Sequence, residues 1–262
     1  MWPDGKQCAV AFTFDLDAES AWAQENAPLM GVNQGTYGAK TGAPLILSVL
    51  EKHAIQCTFF IPGVVAEDHP ETVSSIVSAG HEIAAHGYTH DSPASLSREE
   101  EEDQLVRARG ILESFGAKVS GYRAPLGEIS ENTNELVNSH KLTYSSSMTD
   151  GFKPYRHAGM NLIELPSPLT LDDWVSYGPS ADFFSKSFLP NSMVHELWGK
   201  EFEGIYQLGG LFVLIMHPQI TGTPSRLILL DEFIDFVKSH SGTWITTCSQ
   251  IADQAHLTLP LP

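Results

Sequence analysis

The sequence predicts a parallel α/β fold in which strands and helices alternate along the chain. Short apolar segments rich in β-forming residues recur throughout the 262 residues, and segments of helical length separate them. Side chains suited to catalysis follow several apolar segments directly, which is where parallel α/β barrels carry their reactive groups. This alternation predicts the fold class but does not by itself distinguish a closed barrel from an open sheet.

Buried strands are predicted where a continuous apolar run stops at a turn or at a polar residue. The first run, residues 8–14, ends at Asp15, and the most apolar one, residues 211–216, ends at His217. The other predicted strands are residues 57–61, 82–85, 118–122, 142–145 and 243–247. Their ends are therefore the first places to look for a functional site.

Helices are predicted from capping residues and from apolar periodicity. Ser97 and Glu100 form a capping box, so the acidic run that they bound starts a helix rather than a cation site, and that helix ends near Gly116. Pro44 lies in the first turn of a helix over residues 43–53. The remaining predicted helices cover residues 70–79, 132–140 and 226–239.

Two segments are predicted to be irregular. Residues 18–43 contain four glycines and little periodicity, which indicates a long loop that covers part of the molecule. Residues 150–200 contain five prolines and are expected to be rich in loops. Neither segment shows an internal repeat or a composition shift that would mark a domain boundary.

The charge balance excludes some partners. The formal net charge is −17 and the sequence pI about 4.9, so phosphate backbones and anionic membranes would repel the surface. We therefore expect no nucleic-acid and no membrane partner. Hydrophobic residues make up 42% and charged residues 18%, an ordinary globular composition.

The cysteines and the N-terminal residues bear on the compartment. Cys8, Cys57 and Cys248 are odd in number, widely spaced and flanked by apolar or β-prone residues, which predicts buried free thiols in a reducing compartment. The first residues do not show the pattern of a basic segment, a long apolar run and a cleavage site that marks a signal peptide. A cytoplasmic location is therefore expected.

The chemistry is concentrated in two short motifs, His86-Gly-Tyr-Thr-His90 and Phe14-Asp15-Leu-Asp17. Two imidazoles four residues apart can turn their nitrogens toward one point, and an upstream carboxylate can complete a three-ligand set for a divalent metal. Such a set leaves coordination positions open, which is typical of a catalytic metal. A second carboxylate two residues from the ligand can take a proton from the attacking water.

Either motif alone is weak, since paired histidines occur in cores and aspartate is common after strands. Arg123 and His217 add a cation and a third imidazole at two other predicted strand ends. A histidine suits protonation of a leaving nitrogen, and an arginine keeps a neighbouring carboxylate ionised. Four strand-end groups of these types are hard to explain by packing and predict metal-assisted hydrolysis.

Five ordered motifs resemble those of the polysaccharide deacetylase superfamily, also known as the NodB homology domain or carbohydrate esterase family 4. They occupy residues 12–17, 86–90, 121–125, 171–174 and 214–217. The DxDAE form of the first motif resembles a branch of intracellular peptidoglycan-deacetylase-like proteins and cyclic imide hydrolases. Metal-independent allantoinases lie near that branch but lack the aspartates, so a metal-dependent member is expected.

The resemblance implies a distorted (β/α)7 barrel and one catalytic domain over residues 1–262. It implies a divalent ion, with Zn²⁺ expected and Co²⁺, Ni²⁺ and Mn²⁺ as alternatives. The metal ligands that it implies are Asp17, His86 and His90. By the same resemblance Asp15 is the general base, His217 the general acid and Arg123 the residue that positions Asp15.

Further roles follow from the motifs and the loops around them. Asp172 or Asp173 is expected to pair with His217, and the choice between them stays open. The residues expected to bind substrate are Trp22, Pro125, Leu126 and Trp174. The backbone N–H of Leu126 is also a candidate to hold the oxyanion. Leu126 stands where the family usually has an aromatic residue, and Leu16 separates two aspartates that are usually adjacent.

These predictions lead to a metal-dependent hydrolase of non-peptide carbon–nitrogen bonds. The substrate is expected to be a small cyclic imide or ureide, because the sequence lacks export features and a long early loop could roof a pocket. The family's commonest activity favours the alternative, an N-acetylated sugar such as a chitooligosaccharide or peptidoglycan. A third hypothesis is a catalytically idle metabolite-binding barrel. We also expect a homo-oligomer, either a dimer or a tetramer.

Overall fold

A curled, mostly parallel β-sheet lies at the centre of the computed structural model, which describes residues 1–22, 29–178 and 188–261. Its strands are β1 (Cys8–Asp15), β2 (Thr58–Ile61), β3 (Glu82–Ala85), β4 (Gly121–Tyr122), β5 (Tyr144–Ser145), β6 (Tyr155–Arg156), β7 (Ile163–Glu164), β8 (Leu211–Met216) and β9 (Thr243–Ile245). The predicted strands are confirmed, although the fourth, fifth and last are shorter than expected.

The strand order is β6-β7-β5-β4-β3-β2-β1-β8, and β9 pairs with Cys8–Val10 at the start of β1. All pairs are parallel except β6 with β7. A single parallel bridge between Asp172 and Ile215 links the segment after β7 to β8. This curled sheet with its helices confirms the predicted distorted α/β barrel.

The inner face of β1 explains how the barrel is filled and where the site begins. Alternate side chains of a strand point to opposite faces, so Ala9, Ala11, Thr13 and Asp15 share one face. Ala9 and Ala11 belong to the buried cluster that also contains Phe60, while Val10, Phe12 and Phe14 belong to the cluster against the helices. The same periodicity carries Thr13 and Asp15 to the carboxyl end of the barrel interior.

Helices follow most of the strands. They are α1 (Leu29–Tyr37), α2 (Ala43–His53), α3 (Gly63–Asp68), α4 (Pro70–Ser78), α5 (Arg98–Glu113), α6 (Thr133–Ser139), α7 (Asp173–Tyr177), α8 (Asn191–Gln207), α9 (Pro218–Thr221), α10 (Pro224–Lys238) and α11 (Cys248–Thr258). The five predicted helices are confirmed as α2, α4, α5, α6 and α10, and both hydrogen bonds of the predicted Ser97–Glu100 capping box are present.

The prediction of an irregular loop over residues 18–43 was wrong. A 3₁₀ helix over Ala18–Trp22, helix α1 and a π-helical turn over Gly38–Gly42 occupy the described part of this segment. The glycines form one packing face instead of turns. A Cβ at Gly35 would lie 2.4 Å from the Ala18 carbonyl oxygen, and one at Gly42 would lie 2.3 Å from the Pro218 carbonyl oxygen.

Residues 150–200 also contain more regular structure than the loop-rich segment expected from the sequence. The described part of this segment contains β6, β7, α7 and the first half of α8. Pro168 and Pro190 occupy the N-cap positions of a 3₁₀ helix and of α8, so these prolines start helical elements. Cys8, Cys57 and Cys248 are buried free thiols, as predicted. Within the described residues, no helix has the length and apolarity needed to cross a membrane.

Candidate active site

The reactive groups predicted from the sequence meet at the carboxyl end of the sheet. Asp15 closes β1, His86 follows β3, Arg123 follows β4 and His217 follows β8. All four line one cavity of about 410 Å³, together with Asp17. Because neighbouring parallel strands end at the same edge, distant sequence motifs become one site.

Asp17, His86 and His90 form a compact donor set in which one ligand atom from each lies within 4.8 Å of the others. Asp17 Oδ1 lies 3.5 Å from Nε2 of His86 and 3.5 Å from Nε2 of His90. Nδ1 of His86 hydrogen-bonds the Arg123 carbonyl oxygen at 2.7 Å, which makes Nδ1 the protonated nitrogen and leaves Nε2 free to bind a metal.

These three residues fit a divalent ion. Two donors bound tetrahedrally at about 2.1 Å from one ion lie roughly 3.4 Å apart, close to the separations seen here. Asp17 Oδ1 is buried and has no hydrogen-bond partner among the described residues, and such an orphaned oxygen needs a ligand. Burial lowers the pKa of His90 to about 3, so its imidazole is neutral, the form that binds metals.

The loop that carries both histidines is held in a strained shape. His90 has φ of 68° and Gly87 has φ of 67°, a region that costs a residue with a side chain about 1 kcal/mol or more. The backbone N–H groups of Tyr88 and Thr89 both donate to Oε1 of Gln104 at 2.8 Å. Gln104, on α5, was missed by the sequence analysis, because its role depends on a contact between separate elements.

Asp15 is fixed by Arg123. Nη1 of Arg123 donates to Oδ1 of Asp15 at 2.6 Å and to Oγ1 of Thr13 at 3.0 Å. On its other side the guanidinium donates to the carbonyl oxygen and to Oγ of Ser146, each at 3.0 Å. Burial opposes ionisation of Asp15, but the charge and hydrogen bond of Arg123 together with the charges of His86 and His217 outweigh it, and the pKa of Asp15 lies below its usual value. Burial raises the pKa of Asp17 to about 8, although the positive charge of His217 acts against this rise.

The structure distinguishes between the two candidate partners of His217. Asp173 Oδ1 lies 2.7 Å from Nδ1 of His217, and Asp173 Oδ2 accepts from the His217 backbone N–H at 3.0 Å. Asp172 is 3.8 Å from the same nitrogen, and its carboxylate instead caps α7 by accepting from the Trp174 N–H. Burial alone would lower the pKa of His217, but Asp173 together with Asp17 and Asp172 raises it to about 10.

The walls of the cavity include only part of the predicted substrate-binding set. Leu126 and Trp174 line it, and the Trp174 ring lies edge-on to His217 with centroids 5.1 Å apart. Trp22 and Pro125 are not among the lining residues in the described part of the chain. Trp22 packs behind Trp174 at 5.6 Å between ring centroids, and Pro125 is buried with its ring beside Gly87.

Several contributors had no motif to reveal them. Ser146, Ser147 and Ser167 line the cavity, and fully buried Gln219 lies with Nε2 3.5 Å from Oδ2 of Asp17. The serine run after a predicted strand was visible in the sequence and could have suggested a polar wall. Glu19 accepts hydrogen bonds from Thr36 and His69.

Comparison with known proteins agrees with this geometry. A family model described as Polysaccharide deacetylase matches residues 4–145, more than half of the chain. The chain belongs to the polysaccharide deacetylase family. Membership places it among the hydrolases of this family and confirms the resemblance predicted from the sequence.

Similar proteins extend the likeness beyond the matched family region. The peptidoglycan deacetylase of Helicobacter pylori is 29% identical over 288 residues, which cover 95% of this chain and 96% of that protein. The crystal structure of a protein from Mycobacterium smegmatis described as a polysaccharide deacetylase is 37% identical, with a TM-score of 0.93 over 100% of this chain and 96% of that one. The structure of Puue allantoinase, 22% identical with a TM-score of 0.87 over 100% of this chain and 94% of that one, shares the fold.

Proposed function

We propose that this polysaccharide deacetylase family member is a metal-dependent hydrolase that opens a small cyclic imide or ureide at one of its amide bonds. One observation carries the proposal: the orphaned Asp17 oxygen faces two imidazole nitrogens at 3.5 Å in the cavity that also holds Asp15 and His217. A ligand set with an ionised carboxylate on one side and a protonated imidazole on the other suits hydrolysis.

Each residue has a distinct part in this proposal. A divalent ion held by Asp17, His86 and His90 would polarise the amide carbonyl and lower the pKa of water. Asp15, kept ionised by Arg123, takes the proton of the attacking water. His217 carries its proton on Nε2 and delivers it to the departing nitrogen.

Asp173 supports the role of His217 as an acid. Its carboxylate accepts from Nδ1 of His217, so the remaining ring nitrogen faces the cavity, 3.6 Å from Oδ2 of Asp17. With the pKa of His217 raised to about 10, the imidazolium stays protonated at neutral pH until a more basic nitrogen forms.

The shape of the cavity favours a compact, uncharged substrate. Its volume of about 410 Å³ suits a small ring, and Leu126, Leu169, Trp174 and Val175 give it apolar walls. Beyond the metal ligands, Asp15, Arg123 and His217, the polar lining consists of serine and threonine hydroxyl groups and the Asp172 carboxylate. The fold shared with Puue allantoinase supports a cyclic amide by analogy alone.

N-deacetylation of an N-acetylated sugar is the second candidate. The Helicobacter pylori peptidoglycan deacetylase matches nearly the whole chain, which favours this activity. The same groups would serve it, because hydrolysis of an acetamide also needs an activated water and a proton for the leaving nitrogen. The two candidates differ in the part of the substrate that the cavity must hold.

A hydrolysis panel tests both candidates. Purified protein loaded with Zn²⁺ would be assayed on succinimide, dihydrouracil and hydantoin, and on N-acetylglucosamine oligomers and peptidoglycan fragments. We expect turnover of at least one cyclic compound, lost on chelation and restored by Zn²⁺, and none by Asp17→Asn. Release of acetate from the sugars without turnover of any ring would replace the leading proposal by the second.

The identity of the metal, the compartment and the oligomeric state are part of the same proposal. Zn²⁺ suits the mixed imidazole and carboxylate donors, and Co²⁺, Ni²⁺ and Mn²⁺ accept the same set. We also propose a cytoplasmic homo-oligomer, a dimer or a tetramer, as expected from the sequence. Metal analysis of protein purified without added metal and light scattering in solution test these points.

A further inference from the structure

Ser146 and Ser147 are adjacent serines on the cavity wall with different hydrogen-bonding environments. Ser146 Oγ accepts from Nη2 of Arg123 and donates to the Leu165 carbonyl oxygen, each at 3.0 Å, so its hydroxyl is fully used. Ser147 Oγ accepts from the Ala124 backbone N–H and from Oγ of Ser145, each at 3.0 Å. Among the described residues, nothing accepts the hydroxyl hydrogen of Ser147.

The backbone fixes Ser147 firmly in this position. Its N–H donates to Oε1 of Glu164 at 2.7 Å, and the next N–H, of Met148, donates to the same oxygen at 2.9 Å. Oε2 of the fully buried Glu164 lies 2.9 Å from Nε2 of His157. With only 6% of its surface exposed, Ser147 is a preorganised donor and not a mobile surface hydroxyl.

We propose that Ser147 donates a hydrogen bond to the substrate carbonyl oxygen that is not cleaved, and so selects imides over simple amides. This inference rests on the proposed function and specifies its substrate class. Ser147 follows β5, two strands along the sheet from His86, which corresponds to roughly 10 Å. A five- or six-membered ring with one carbonyl at the ligand set and the other about 2.8 Å from Ser147 spans a distance of that order.

The chemistry explains why a hydroxyl is suitable. The donors that already bond Ser147 Oγ occupy its lone pairs, so the free hydrogen can only be given away. An imide presents a second carbonyl acceptor on the far side of its ring, whereas a lactam has no group there. A carbonyl acceptor also needs no countercharge, in agreement with a wall made of Ser147, Thr149 and Ser167.

The test compares two rings of equal size. Glutarimide is the substrate, and δ-valerolactam, which lacks the second carbonyl, is the competitive inhibitor, both with Zn²⁺-loaded protein. Ser147→Ala and the size-matched Ser147→Cys are expected to raise the KM for glutarimide about tenfold, the loss of one hydrogen bond, and to leave the lactam Ki within about twofold. Ser48→Ala, an exposed serine on α2, is the control and should change neither.

The outcomes separate this inference from the proposed function. If wild-type protein hydrolyses glutarimide and both Ser147 variants keep its KM, or lose imide and lactam binding equally, the serine does not contact the second carbonyl. If wild-type protein neither hydrolyses nor binds glutarimide but turns over succinimide, dihydrouracil or hydantoin, this inference is wrong and the proposed function stands, whereas turnover of no ring at all overturns both. Melting temperatures of the variants within a few degrees of wild type would show that a change in KM is not caused by unfolding.

Discussion

Two buried carboxylates of the barrel have opposite surroundings. Glu164, on β7, has both oxygens engaged, by two backbone N–H groups and by His157. Asp17, after β1, is nearly as inaccessible, yet Oδ1 has no hydrogen-bond partner among the described residues, and Oδ2 has long contacts, 3.5 Å to Nε2 of Gln219 and 3.6 Å to Nε2 of His217. A buried carboxylate oxygen without a hydrogen-bond partner is costly, so the difference distinguishes a carboxylate that holds structure from one kept ready for a ligand.

The largest effect is expected from neutralising Asp17. Asp17→Asn should abolish binding of a divalent ion and reduce hydrolysis by on the order of 10³-fold or more, because transition-state stabilisation worth several kcal/mol is lost. Glu164→Gln should instead lower the free energy of unfolding by about 1–3 kcal/mol and keep the ion. Metal content by mass spectrometry and chemical denaturation measure the two properties. Full metal occupancy in Asp17→Asn would show that Asp17 is not the carboxylate kept ready for a ligand.

A smaller loss is expected when the support of His217 is removed. Asp173 raises the pKa of His217 toward 10, so Asp173→Asn should lower that pKa and move the alkaline limb of the pH–rate profile to lower pH. The rate at neutral pH should fall by about 10²-fold. Asp172→Asn is the matched control, because Asp172 caps α7 and lies 3.8 Å from the imidazole. An alkaline limb that stays in place in Asp173→Asn would assign the acid to another group.

Asp17 has few hydrogen bonds, so its position depends on packing of the segment that follows it. Gly35→Ala should lower the free energy of unfolding by about 1–3 kcal/mol, since the new methyl group would meet the Ala18 carbonyl oxygen at 2.4 Å. Gly110→Ala, in α5 with no atom within 4 Å of the new methyl group, should raise it by about 0.5–1 kcal/mol. Thermal and urea unfolding measure both, and equal effects would contradict the role of the glycine face.

The smallest effect is expected at Gln219, the one described side chain that hydrogen-bonds Oδ2 of Asp17. Gln219→Leu should weaken binding of the ion about tenfold with little change in kcat at saturating metal. Gln219→Glu keeps the shape of the side chain but places a like charge beside Asp17, and should therefore lower the free energy of unfolding. Competition with a metal-sensitive dye gives the affinities. Unchanged affinity in Gln219→Leu would mean that the orientation of Asp17 is set by packing alone.

The sequence was most informative where chemistry follows a strand. Asp15, Asp17, His86, Arg123 and His217 could be identified because each comes directly after an apolar run, and parallel strands bring such positions together. The choice between Asp172 and Asp173 could not be made, because adjacent residues at the start of a helix differ only in direction. That direction is set by tertiary contacts.

The glycines of α1 and of the π-helical turn after it show a different limit. Their spacing of four, three and four residues fits one helix face, but glycine also marks turns and disfavours helices. Only the close approach of the Ala18 and Pro218 backbones decides between these interpretations.

The role of Ser147 could not be predicted from the sequence either. Its use as a donor depends on which of its hydrogen bonds are already made, and those partners lie 23 residues away at Ala124 and two away at Ser145.

The bridge between Asp172 and Ile215 is the one described backbone pairing between the segment after β7 and β8. A barrel whose neighbouring strands are all paired along their length resists widening, since each added residue would break several interstrand hydrogen bonds. Because this segment pairs with β8 at one position, lengthening or exchanging the residues before Asp172 leaves the remaining ladders intact. New substrate preferences can therefore evolve, or be engineered by grafting, along this boundary while the ion-binding end of the barrel keeps its shape.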